Sequence, residues 1–170
     1  MSDQESDNGS VGDDFETMDH IIELIDENQL EELKPFIYFE CEHSSTEFTF
    51  TPLLYALTYK KYNVASSLIS NGHPTDYQIG VEKDGTGTIY TLLGYIVSRG
   101  DCKGVDLLLK SGCTDINTPM EDAESGYHDG YTPYEIAYEQ EDTEMKQLLI
   151  ENNASTTLHR ESYEFGRKDE

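Results

Sequence analysis

Positive charge is what this chain has least of: 11 Lys and Arg stand against 35 Asp and Glu in 170 residues, a formal net charge of −24. Such a field repels nucleic acid and anionic membranes and favours basic partner surfaces. Long apolar runs are missing as well. No stretch approaches the roughly 18 continuous apolar residues of a membrane span. The first 19 residues hold seven acids, no Lys or Arg and no apolar run, so they read as neither a signal nor a transit peptide. Three cysteines, Cys41, Cys102 and Cys113, form no C-x-x-C pair. An odd, unpaired set argues against a disulfide framework and for a reducing compartment, the cytoplasm or the nucleus.

Catalytic and metal-binding patterns are equally thin. The five histidines, His20, His43, His73, His128 and His159, are scattered, and the one tight His/Cys grouping is Cys41-Glu42-His43. A metal there needs ligands from elsewhere in the chain. Asp84-Gly85-Thr86-Gly87 resembles a phosphate loop only in passing, because no Gly-Lys-Ser/Thr follows it. Carboxylate pairs carry no catalytic information in so acidic a chain. The expectation is a protein without catalytic residues, metal or cofactor.

The charge is distributed unevenly. Residues 1–50 carry 15 acids and one base, 51–110 five acids and six bases, and 111–170 15 acids and four bases. The middle is neutral and both ends are acidic. The acids serve either as solvating faces and a disordered tail or as a basic partner's landing surface. Ser2 and Ser10, each followed by acids, resemble acidic-directed kinase sites.

What the chain does have is a repeat. Phe50-Thr51-Pro52-Leu53-Leu54-Tyr55-Ala56, Tyr90-Thr91-Leu92-Leu93-Gly94-Tyr95-Ile96 and Tyr131-Thr132-Pro133-Tyr134-Glu135-Ile136-Ala137 are versions of one segment. The residue 21 places after each threonine is Gly72, Gly112 or Asn153. Gly and Asn are the residues that most readily end a helix in the left-handed conformation. Fixed-spacing repeats build stacked arrays in which each unit buries its apolar face against its neighbours. The apolar stripes Val64, Ala65, Leu68, Ile69, then Val105, Leu108, Leu109, then Met145, Leu148, Leu149, Ile150 predict a second helix in each unit. Met18, Ile21, Ile22 and Ile25, followed by Leu30, Leu33, Phe36 and Ile37, predict a shorter first unit. Its Glu23, Asp26, Glu27, Glu31 and Glu32 suit a water-facing end cap.

The Thr-Pro-Leu opening, the Ala five residues after the threonine, the Val-x-x-Leu-Leu stripe and the closing Gly resemble the ankyrin repeat. The resemblance covers about residues 15–156. It implies an all-α solenoid of helix-turn-helix units with projecting hairpin loops. The units run over about 15–45, 46–78, 86–118 and 127–156, between an acidic tail at 1–14 and a C-terminal cap or frayed tail at 157–170. Where the family has histidine after Thr-Pro-Leu, this chain has Leu54, Gly94 and Glu135, and Leu92 replaces a proline. The threonines stand 40 and 41 residues apart, against a family period of about 33. The surplus enlarges the fingers at His73–Tyr90 and Cys113–Tyr131, with Asp84-Gly85 and Asp129-Gly130 as turns.

In the ankyrin scaffold, the residue before the threonine faces the concave groove. The resemblance therefore lines Phe50, Tyr90 and Tyr131 along one surface, flanked by Phe48, Tyr59, Arg99, Glu139 and Gln140. Aromatic anchors dominate interface energetics; alternatively, each ring packs on its neighbouring finger and only braces the stack. The expected function is non-catalytic protein–protein interaction, as adaptor or regulatory subunit, with a protein partner that can present a basic surface. Two alternatives are a regulator or inhibitor of a protein kinase or cell-cycle complex, and an acidic decoy inhibiting a basic nucleic-acid enzyme. Nucleic acid and membrane are not expected partners.

Overall fold

The computed structural model describes residues 11–43, 48–83, 86–113, 115–122 and 130–158. Ser2, Ser10, Asp84-Gly85, Asp129 and the final residues from 159 onward lie outside them. Three complete units follow one plan. Helices α3 (Pro52–Thr58) and α4 (Tyr62–Ser70), α5 (Leu92–Ser98) and α6 (Cys102–Lys110), and α7 (Pro133–Glu139) and α8 (Thr143–Glu151) form pairs of seven and nine residues each. They are preceded by α1 (Val11–Asp26), which begins before the apolar periodicity does, and by the short α2 (Leu30–Leu33) with its 3-10 turn Lys34–Phe36.

The threonine of each segment is the helix cap. Thr51, Thr91 and Thr132 accept hydrogen bonds at their hydroxyls from the amides of Leu54, Gly94 and Glu135 at 3.1, 3.0 and 3.3 Å. Each satisfies an amide the helix cannot pair internally. The position after Thr-Pro-Leu is resolved differently in each unit. Glu135 turns back to accept from the Thr132 amide and hydroxyl at 2.8 and 2.9 Å, a capping box buried to 3% exposure. In the second unit the Tyr77 hydroxyl lies 2.6 Å from the Thr51 hydroxyl in a hydrogen bond reaching across from the next finger. Leu92, standing where proline is expected, uses its N–H: it donates to the Tyr77 carbonyl at 3.0 Å and ties α5 to that finger.

The helix ends are as regular as the starts. Gly72, Gly112 and Asn153 have φ of 94°, 91° and 69°. The residue after each donates back to the helix, His73 to the Leu68 carbonyl at 3.0 Å, Cys113 to Leu108 at 3.3 Å and Ala154 to Leu149 at 3.0 Å. These are Schellman closures. The same closure recurs between the helices of each pair, at Lys60 (φ 57°), Gly100 (65°) and Glu141 (57°). An L side chain in this region costs about 1–2 kcal/mol. Gly72→Ala is accordingly expected to lower stability by about 1–2 kcal/mol, and Asn153→Gly to preserve or raise it, in paired urea unfolding curves.

The all-α class expected from the repeats is overturned, because five strands among the described residues form two antiparallel sheets. Strands β1 (Cys41–His43) and β2 (Phe48–Phe50) pair with Cys41 opposite Phe50. Strands β3 (Gln78–Lys83) and β4 (Thr86–Thr91) pair from Gln78 opposite Thr91 to Lys83 opposite Thr86. The edge of β4 then takes β5 (Glu121–Asp122) from the following finger. The reason lies in the surplus residues: β4 is rich in Thr, Ile and Tyr, which favour extended backbone, and two six-residue strands satisfy each other's amides where a single projecting loop cannot. The sheet is also part of the core. Ile79 of β3 is fully buried among the helices' apolar side chains.

That core runs without interruption from Ile21 and Ile25 through Leu53, Leu57, Leu68, Leu93, Ile96 and Leu108 to Met145 and Leu149. Ile150, part of the apolar stripe in sequence, remains 43% exposed, and Tyr138 of α7 is 45% exposed. No helix among the described residues is long and apolar enough to cross a membrane.

Candidate functional site

The first helices of successive units pack side by side, α1 on α3, α3 on α5 and α5 on α7. A strand end leads into α3 and another into α5, so an aromatic residue at the end of the finger reaches the face that these helices share. Phe50 and Tyr90 sit there, half-buried against the core, as does Tyr131 before α7. Phe50 does not stand alone. Its ring meets Phe39 at 6.1 Å between centroids and Tyr55 at 6.0 Å, and Tyr55 stacks on Tyr59 at 4.4 Å. These four rings form a continuous ladder that ends at Tyr59, which is 60% exposed. Tyr90 meets Tyr95 edge-on at 6.0 Å, and the Tyr131 carbonyl accepts from the Met120 amide at 3.0 Å.

Of the remaining expected site residues, Arg99, Glu139 and Gln140 are exposed at the ends of α5 and α7. Gln140 reaches back across the unit boundary, donating from Nε2 to the Ser98 carbonyl at 2.8 Å. Phe48, at the start of β2, pairs through its backbone with His43 of β1, and its side chain is outside the described ones. Tyr55 and Tyr95 join this surface through ring contacts, although the aromatic-before-threonine pattern includes neither. Their signal was present, since both stand four residues after the threonine. Asp26 also escaped attention as a site residue: it pairs with Lys61 at 2.8 Å and lies 3.4 Å from the Tyr55 hydroxyl. Burial first, then the charge of Asp26, raises the pKa of that hydroxyl.

A cleft of ≈ 320 Å³ opens between the turn ending α3 and the turn ending α5. Lys60 and Arg99 stand on it with Thr58, Ser98 and Asp101, over Leu57 and Ile96. Asp101 is 6% exposed and caps α6, accepting at Oδ1 from the Gly104 amide at 3.1 Å and from the Tyr62 hydroxyl at 2.7 Å. Burial and the Asp101 contact push the Tyr62 hydroxyl up to about 12.

Metal-ligand side chains converge at one place among the described residues: Asp76, Cys113 and Asp115 bring their donor atoms within 4.8 Å of one another. Burial, before the nearby carboxylates, raises the Cys113 thiol to about 12, and burial followed by Asp76 raises Asp115. A thiol so protonated is a poor nucleophile. No fourth side-chain ligand joins the three among the described residues, and we assign them no ion.

His73 is also buried, 6% exposed, with Nδ1 2.7 Å from the Pro74 carbonyl and Nε2 without a hydrogen-bond partner among the described residues. Burial depresses its pKa below 6.5, outweighing the Pro74 contact. The unfolded chain therefore binds more protons, so the stabilisation that the neutral ring provides is full above about 6.5 and is lost as pH falls through the folded value. The melting temperature of the wild type is expected to fall relative to His73→Leu between pH 7.5 and 5.5; an unchanged gap would remove this assignment.

No known family model matches this chain, and no curated protein matches its sequence.

Proposed function

We propose that this protein is a non-catalytic protein-binding module, an adaptor or regulatory subunit, that receives its partner on the face shared by α1, α3, α5 and α7. The observation that carries this reading is the ring ladder from Phe39 to Tyr59. Three of its members are braced against one another, so the exposed ring of Tyr59 is held in place before any partner arrives. A preorganised aromatic surface loses little side-chain entropy on binding. The resemblance of the repeats to ankyrin repeats supports the same use, since that scaffold holds protein partners of many kinds. Asp26 of the first unit adjoins the ladder at Tyr55, and with the exposed Glu23, Glu27 and Glu31 of the same unit it favours a partner that brings basic side chains to that end.

Half-buried and exposed rings have different tests. Tyr90 and Tyr131 contact the core, so their replacement mixes binding with stability. Tyr59 separates the two. Tyr59→Ser is expected to reduce partner capture at least about tenfold, a loss of about 1.4 kcal/mol typical of an interface anchor, while the melting temperature stays within a few degrees. Capture from extract by wild type and variant, compared by mass spectrometry at low and high salt, reads this out. Equal capture by both proteins would refute the aromatic face, and capture abolished by salt alone would transfer the binding to the acidic ends.

A further inference from the structure

Among the bases whose side chains are described, two have neither an ion pair nor a ring contact, and both stand on the cleft between the α3 and α5 turns. Lys34, Lys61 and Lys110 are in ion pairs with Glu31, Asp26 and Asp106. Lys103 and Lys146 lie over the rings of Tyr62 and Tyr138 at 4.3 and 5.4 Å. Among the described side chains this leaves Lys60 and Arg99, which have neither an ion pair nor a ring, and both stand on the same cleft. The five other bases whose side chains are described are each held by a carboxylate or a ring. That the two unpaired ones are neighbours is the informative fact.

The repeat does not impose this. Lys60 is nine residues after its threonine and Arg99 eight after its own, so the next unit boundary has Gly100 and Gln140 at these places, and the preceding one has Tyr59 at the second. The positive pair is particular to this boundary. At the following boundary Gln140 bonds to the Ser98 carbonyl. Here the Thr58 hydroxyl makes no hydrogen bond to a described residue and is available as a donor beside the two bases.

We propose that this cleft is the receptor for a carboxylate side chain, Asp or Glu, of the protein partner, held by the Arg99 guanidinium and the Lys60 ammonium with Thr58 donating. Arg offers a carboxylate two parallel N–H donors, and Lys adds a point charge. The Asp101 carboxylate in the wall selects for a single negative charge. It weakens the local positive potential, which a monoanion tolerates and a phosphate dianion does not. The partner thus brings an acidic residue to the centre of the face and basic ones to its first unit, so charge fixes its register along the repeat.

This inference rests on the protein-binding reading but is tested without the partner. The ¹⁵N-labelled full chain is titrated with acetyl-Gly-Glu-Gly-amide, with its Gln counterpart, and with inorganic phosphate. The glutamate peptide is expected to give saturable shifts at the amides of 58–61 and 98–101, with an affinity at least about tenfold above the Gln peptide. Lys60→Gly, whose turn conformation suits glycine, combined with Arg99→Gln is expected to abolish them, and Arg99→Gln alone to weaken them. Lys110→Gln, remote from the cleft, leaves them unchanged. Equal response to the Gln peptide, persistence in the folded double variant, wild-type affinity in Arg99→Gln, or tighter saturation of the same amides by phosphate would each overturn the proposal. If the titration fails while partner capture still depends on Tyr59, the cleft falls and the binding face stands.

Discussion

Gly104→Ala is expected to destabilise the protein by about 2–3 kcal/mol, although the change puts the best helix former in place of a poor one. On helix propensity alone the substitution would stabilise by about 1 kcal/mol. The surroundings reverse the sign. A Cβ at Gly104 would lie 2.5 Å from Asp101 Oδ2 and 3.0 Å from Ile96 Cγ2. Neither neighbour has room to yield: Asp101 is 6% exposed with its other oxygen shared between the Gly104 amide and Tyr62, and Ile96 is 1% exposed. Moving Asp101 breaks the cap of α6, worth about 1 kcal/mol, and strands a buried carboxylate, which costs more. Urea unfolding is expected to show a lower midpoint with an unchanged slope. A midpoint equal to or above the wild type would mean that the contact relaxes freely and that Asp101 is not held as described.

Ile79→Ala is the second large effect, about 3 kcal/mol, within the range for truncating a fully buried isoleucine. It tests the correction to the fold class. Were the finger a projection into solvent, the change would fall within about 0.5 kcal/mol. Ile79 is 0% exposed and belongs to the same cluster as Leu53 and Leu93, so the finger and the helices are expected to unfold together. Gln78→Ala, one residue away on the exposed side of β3, is the control and is expected to change little. A single transition by both far-ultraviolet dichroism and tyrosine fluorescence would show one cooperative unit. A small loss for Ile79→Ala, with a separate early transition, would detach the sheet from the core.

Helices and their ends were legible because their signals are local. The threonine hydroxyl meets an amide three residues ahead, and the residue 21 places on takes positive φ in all three units, Asn153 included. No distant neighbour is needed for either. The finger positions were legible for the complementary reason, since a surplus of residues between fixed points has only one place to go. Their pairing was not. Whether β4 finds β5 depends on the height and twist of the next unit, which no window of sequence contains.

The proposed binding face divides in the same way. Phe50, Tyr90 and Tyr131 announce themselves by a shared offset. Lys60 and Arg99 do not, because they sit at different offsets in different units and only stacking makes them neighbours on one cleft.

Sequence by itself determined the spacing of the helix pairs, the caps, the closing residues and the apolar stripes, all of which rest on contacts within a few residues or on a period repeated three times. Tertiary structure alone decided that the fingers become sheet and enter the core, that the Tyr77 hydroxyl reaches Thr51 from the next finger, and that two bases with described side chains go unpaired side by side. Those outcomes depend on which side chains from separate units come within 3–4 Å of one another, a relation set by how the units stack and not by the order of residues within any of them.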